Sequence, residues 1–172
     1  MTARSPMLSD GKKRRTAEVL LFTTGITACA AAAWKGLFSV YNVAGRSMEP
    51  ALHDGEQVIS MRQYTKPKRG SIVLVRHGGA VLIKRAAGLA GDEVRIDSSG
   101  RVFINGKPPK WKYIKAAGRP FRCTVPSGRL FLLGDNMEVS TDSRSPLLGC
   151  IPVNTVIGRA VMCVSDSGAR RL

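Results

Sequence analysis

The chain has 172 residues, which fits one domain with an appendage, and 44% of them are hydrophobic, enough for a globular core. Its four cysteines form no CxxC pair, which argues against a zinc site, and the odd three outside the apolar N-terminal segment argue against a full disulfide framework; one bridge remains open. The formal net charge of +15 favours an anionic partner, either nucleic acid or an acidic lipid surface, against the plainer reading of a solvated basic face.

In chain order, residues 1–16 are basic and include the run Lys12, Lys13, Arg14 and Arg15. Residues 17–35 are apolar, with Glu18 and Lys35 at the edges, and have about the length a helix needs to cross a bilayer core. The basic residues before this span put the N-terminus on the cytoplasmic side and the rest of the chain across the membrane. Trp34, Phe38 and Tyr41 suit an interfacial belt. A cleavable signal peptide and a buried core helix are the alternatives to this anchor.

From residue 36 to 172 the pattern is that of a single, mostly β domain. "EQVISMRQY", "GSIVLVRH", "AVLIKRAAG", "DEVRID", "RVFING", "FRCTVP", "RLFLLGD" and "TVIGRAVMCV" are short apolar runs punctuated by Gly, Pro, Asn and Asp. "SSGR" and "INGK" predict hairpin turns. "KPPKWKYIKAAGRPFR" is the least regular stretch and reads as an exposed basic excursion. No acidic residue falls between Asp97 and Asp135.

Three stretches carry candidate chemistry. "GRSMEP" places Ser47 between Gly45, which permits a turn that a β-carbon obstructs, and Pro50. A serine nucleophile needs a base. The two histidines, His53 and His77, read as loop residues, although a set of Ser47, His53 and Asp142 stays open. Lys84 lies in "AVLIKRAAG". In an extended run it shares a face with Leu82 and Ala86, opposite Ile83 and Arg85. Burial there lowers a lysine pKa and lets a neutral amine accept the serine proton; the competing reading is a lysine that snorkels from a sheet edge. "LGDNMEVSTDSRS" follows an apolar run. In it Asp142 and Arg144 can pair, and Ser140 can orient the lysine amine, or the loop is a polar turn and no more.

Together these stretches resemble the type I signal peptidases, the S26 family of membrane-bound Ser/Lys proteases. "GRSMEPAL" resembles the nucleophile box, "IKRAAGLAGDEV" the lysine box, and "GDNMEVSTDSR" the GDNxxxSxDSR box; "IPVNTVIGRA" extends the likeness. The resemblance implies an antiparallel β-sheet catalytic domain behind one transmembrane helix, with no cofactor and no metal. It implies Ser47 as nucleophile and Lys84 as general base, then acid. Ser140 would orient the amine, Asp142 and Arg144 would buttress the site, and Met48 would shape the pocket. The Ser47 N–H would serve the oxyanion. The implied substrates are exported preproteins cut after small residues, and the implied second partner is membrane phospholipid rather than a specific nucleic acid. Two departures stand out: Gly45 occupies the place where some members carry a second oxyanion donor, and Ala90 replaces a proline. The location implied is a bacterial plasma membrane, with the mitochondrial inner membrane as the alternative. A LexA-like self-cleaving protein and a non-catalytic basic membrane protein are the competing functions.

Overall fold

A computed structural model describes residues 34–62, 66–116, 118 and 120–172. The anchor expected over 17–35 lies outside the described residues except for its last two. Among the described residues no helix is long and apolar enough to cross a membrane. Residues Phe38–Leu172 form one compact unit.

All eight apolar runs become strands. Two are the long strands β4 (Ala80–Leu89) and β10 (Val156–Ser165). The other six are β2 (Gln57–Met61), β3 (Ile72–His77), β5 (Glu93–Ile96), β6 (Val102–Ile104), β7 (Phe121–Thr124) and β8 (Arg129–Leu133). Three further strands had no strong apolar signal: β1 (Phe38–Asn42), β9 (Ile151–Pro152) and β11 (Gly168–Arg171). The main sheet runs β1-β2-β10-β3-β4-β8-β9, with β11 added to β10, and a small sheet runs β6-β5-β7. Every strand pair is antiparallel.

The centre of the main sheet is covered on both faces, which is why "IVLV" and "LFLL" are continuous apolar runs rather than alternating ones. One face carries Val73, Val75, Ala86, Leu130 and Leu132, with Leu82 packed on them. The other carries Ile72, Leu74 and Ala160, together with Met48 and Leu52 from the loop after β1. A third cluster, including Val94, Val102, Val125 and Phe131, joins the small sheet to β8. Lys84 is opposite Val73 in the middle of β4. Pairing of β4 with β8 begins only at Arg85, whereas pairing with β3 runs from Ala80. Among the described residues, the β8-side edge of Ala80–Lys84 therefore carries no strand.

The two hairpin turns form as expected. In "INGK", Asn105 and Gly106 both have positive φ, and the Ile104 and Lys107 backbones exchange hydrogen bonds. In "SSGR", the Gly100 N–H donates to the Asp97 carbonyl, and the Asp97 carboxylate accepts from the Ser99 and Arg101 backbones. The basic excursion differs from expectation. Trp111 and Tyr113 pack against the third cluster. The Ile114 N–H donates to the Asp135 carbonyl, and its own carbonyl accepts from the Met137 N–H. The apolar residues spaced through this basic stretch bind it to the core, while its lysines face solvent. Cys123, Cys150 and Cys163 are free thiols, so the bridge left open by the sequence is absent among them. Burial raises the Cys123 and Cys163 thiols to about 11.

Candidate active site

Ser47 sits in the loop after β1, and the loop is fixed at both ends. Gly45 adopts a φ of +83°, which favours glycine, and its N–H donates to Asp54 Oδ1 at 2.7 Å. Beyond Ser47, Met48 and Leu52 are buried among Val43, Val58, Ile72 and Leu74. Met48 is thus a core anchor that holds the neighbouring serine in place. The Ser47 carbonyl accepts from the Asn136 N–H at 3.0 Å, which ties this loop to the segment after β8.

Lys84 meets Ser47 from β4. Its Nζ lies 2.7 Å from Ser47 Oγ, and the residue is 5% exposed. Leu82 and Ala86 pack in one cluster and Ile83 in another, as strand parity requires. Burial lowers the Lys84 pKa from its ordinary 10.5; the Asp142 and Asp135 carboxylates pull it back up, and Arg144 pushes it down. The snorkelling alternative fails because the amine ends in the interior.

The loop after β8 supplies the surroundings. Asp142 is buried and accepts from the Gly134 N–H at 3.0 Å, from Arg144 Nε at 2.8 Å and from Arg144 Nη2 at 3.0 Å. Arg144 Nη2 also donates to the Met137 carbonyl at 2.8 Å. Ser143 locks the loop onto β8: its Oγ accepts from the Leu132 N–H, and its N–H donates to the Leu132 carbonyl. The Asp142–Arg144 pair expected from the sequence is therefore formed. The hydrogen bond expected from Ser140 to Lys84 is not: Ser140 Oγ is buried without a hydrogen-bond partner.

Neither histidine approaches Ser47 as a base. His53 is exposed, with Nδ1 3.8 Å from Glu49 Oε1, and His77 is exposed at the end of β3. Asp142, the proposed acid of a histidine set, is already held by Arg144 and Gly134.

Two features of the site were not read from the sequence. Gly134 is one: a β-carbon there would lie 2.1 Å from Ser140 Oγ and 2.5 Å from the Ser47 carbonyl oxygen. The two serine segments close over this glycine, so Gly134→Ala is expected to cost about 1–3 kcal/mol through overpacking and to lower activity with it. Thermal melts and an activity assay check this. The other is the buried pair of Arg85 and Asp135. Arg85 Nε donates to Asp135 Oδ1 at 2.6 Å, and Nη1 donates to the Gly70 carbonyl at 2.6 Å. The guanidinium also lies over the Trp111 ring, 5.5 Å from its centroid. The partners are 50 residues apart, a separation that local pattern does not encode. The pair fixes Asp135, and Asn136 next to it holds the Ser47 carbonyl.

A serine hydroxyl set against a buried primary amine has the chemistry of a serine hydrolase whose base is an amine instead of an imidazole. The family model described as "Signal peptidase, peptidase S26" matches residues 16–165, and the chain belongs to that family. A "Signal peptidase I" of Bacillus licheniformis is 35% identical over 139 residues, covering 71% of this chain and 74% of that protein. A "Signal peptidase I" of Bacillus amyloliquefaciens is 33% identical over 126 residues, covering 64% of this chain and 68% of that protein. A solved signal peptidase I of Enterococcus faecalis V583 is 28% identical, covering 55% of this chain and 96% of that one, with a TM-score of 0.47.

Proposed function

We propose that Ser47 is the nucleophile and Lys84 the general base of this peptidase. The observation that carries the reading is the 2.7 Å approach of Lys84 Nζ to Ser47 Oγ, with the lysine buried. The chain is a serine endopeptidase of the S26 family that removes N-terminal signal peptides from preproteins. Neutral Lys84 accepts the Ser47 proton as Oγ attacks the carbonyl carbon of the scissile bond. The ammonium then gives that proton to the leaving amine, and an ester remains on Ser47. Water, deprotonated by Lys84, hydrolyses the ester and restores both groups. The Ser47 N–H serves the developing oxyanion. Asp142 and Arg144 hold the loop that covers the lysine. Ser140 orients the amine; its packing against Gly134 beside the Ser47 carbonyl and its unpaired buried hydroxyl support this reading.

The substrate binds as an added strand along the β8-side edge of Ala80–Lys84. That edge carries no strand among the described residues and leads to the base, and an extended peptide recognised this way presents alternate side chains to pockets. The enzyme works at a bacterial plasma membrane, anchored by 17–35, with residues 36–172 on the extracytoplasmic side. The bacterial sources of the relatives and the apolar run support that placement. Exposed Val81 and Val139, on the segments that carry Lys84 and Ser140, suit contact with the bilayer.

The test is a reporter preprotein with alanine at the first and third positions before the scissile bond. Mass spectrometry should locate one cut, immediately after the first-position alanine. Phenylalanine at that position should lower kcat/KM by about 100-fold or more, since a pocket shaped for a small side chain must exclude a ring. Equal cleavage of the phenylalanine substrate counts against a signal peptidase function.

A further inference from the structure

A cleft of about 810 Å³ lies apart from the Ser47–Lys84 pair: neither of those residues lines it. Its walls carry Lys68, Arg69, Arg85, Lys107, Lys110 and Arg159, with Leu172 also in the lining, and among the described residues no Asp or Glu side chain lines it. Carboxylates outside the lining hold two of these cations in place: Asp92 receives Arg69 at 2.9 and 2.6 Å, and Asp135 receives Arg85. Lys107 and Lys110 are exposed and make no ion pair among the described residues. Between the cations the surface is apolar, built from Ile72, Ile104, Pro108, Pro109, Trp111 and Ala160.

We infer that this cleft binds the phosphate-bearing head group of an anionic membrane phospholipid. The charge complements a phosphate diester, and the lysines on the Ile104–Trp111 segment can turn their ammonium donors toward its oxygens. The apolar strip beside them takes the glycerol and the first acyl carbons, with Trp111 as an amphipathic wall. A single strand of nucleic acid fits less well. Among the described residues Trp111 is the one aromatic residue lining the cleft, and the Arg85 guanidinium already lies over its ring. The cleft also reaches the peptidase site by a short route. Arg85 follows Lys84 in β4 and pairs with Asp135, whose neighbour Asn136 holds the Ser47 carbonyl. The assignment rests on the chain working at a membrane, and it does not require Ser47 or Lys84 to be catalytic.

The experiment uses the full chain in a neutral detergent with Trp34→Phe, which leaves Trp111 as the single tryptophan. Its fluorescence is followed during titration with dihexanoyl phosphatidylglycerol, dihexanoyl phosphatidylcholine and inorganic phosphate. Saturable binding of the phosphatidylglycerol is expected, with the other two much weaker. Lys107→Ala with Lys110→Ala should raise its Kd by about 25-fold, taking roughly fivefold for each exposed lysine. Both lysines are at the surface, so the variant should keep the wild-type melting temperature. Equal binding of the phosphatidylcholine, equal binding of phosphate alone, or an unchanged Kd in the double variant overturns the assignment. Preprotein cleavage measured on the same samples separates the two readings: intact cleavage without lipid binding removes only the cleft.

Discussion

Replacing Ser47 by alanine is expected to lower kcat for preprotein cleavage by about 10⁴-fold or more, and replacing Lys84 by alanine should do nearly the same. The reason is geometric. Ser47 Oγ has the Lys84 amine at 2.7 Å, while His53 and His77 are exposed elsewhere. Without Oγ no acyl-enzyme forms. Without the amine the hydroxyl, whose own pKa is far above neutrality, keeps its proton. Because the two residues act as one unit, the double variant should be scarcely worse than either single variant. The Ser47→Ala protein should fold normally, since Met48 and Leu52 carry the loop's packing and the backbone bond from Asn136 does not use the side chain. His53→Ala should leave kcat/KM within about twofold, as expected of a surface change away from the reacting groups. Full activity in Lys84→Ala, or collapse of activity in His53→Ala alone, would overturn the Ser/Lys assignment.

What made this pair readable in the sequence was local. The three boxes have fixed internal spacing, and period-2 alternation predicts that Lys84 shares a face with Leu82 and Ala86. The strands were readable for the same reason, because "GSIVLVRH" and "RLFLLGD" state their burial in a few consecutive residues. Other elements owe their existence to distant partners. β11 is exposed throughout and forms only because β10 offers it an edge. β9 has two residues and exists by pairing with β8. The basic stretch around Trp111 looked like solvent-facing chain because four lysines and two arginines are spread through it. Its place in the fold depends on Arg85 and Gly70 beneath the ring and on Ile114 against Asp135. Gly134 reads as part of a turn, and its importance appears only when Ser140 and the Ser47 carbonyl converge on it. The orienting role of Ser140 stood in the sequence beside the alternative of a plain polar turn, and its hydroxyl has no hydrogen-bond partner here.

Lys84 should also leave a signature in the pH dependence of both activity and stability. The base works only as the neutral amine. Burial lowers its pKa from 10.5, so kcat/KM should rise with pH through the folded-state pKa, by about tenfold per pH unit on the acid side, and then level. Stability follows from linkage. Between the depressed folded pKa and 10.5 the unfolded chain holds a proton that the folded chain lacks, so stability rises with pH across that window. Below the folded pKa both states carry the proton, and the full cost of a buried charge is present. Each pH unit of depression corresponds to about 1.4 kcal/mol. Lys84→Met keeps most of the volume and removes the charge. The inactive variant should therefore melt higher than the wild type at neutral pH, by about 4 °C for each such unit in a domain of this size. The advantage should shrink as the pH approaches 10.5. Two effects limit it: Ser47 Oγ loses its partner, and Asp142 and Asp135 lose a nearby positive charge. The measurement is the difference in Tm between wild type and Lys84→Met across a pH series, which cancels the titration of the other lysines. A variant that melts lower at neutral pH, or a difference that grows with pH, would show that the buried amine stabilises the fold and that its pKa is not depressed.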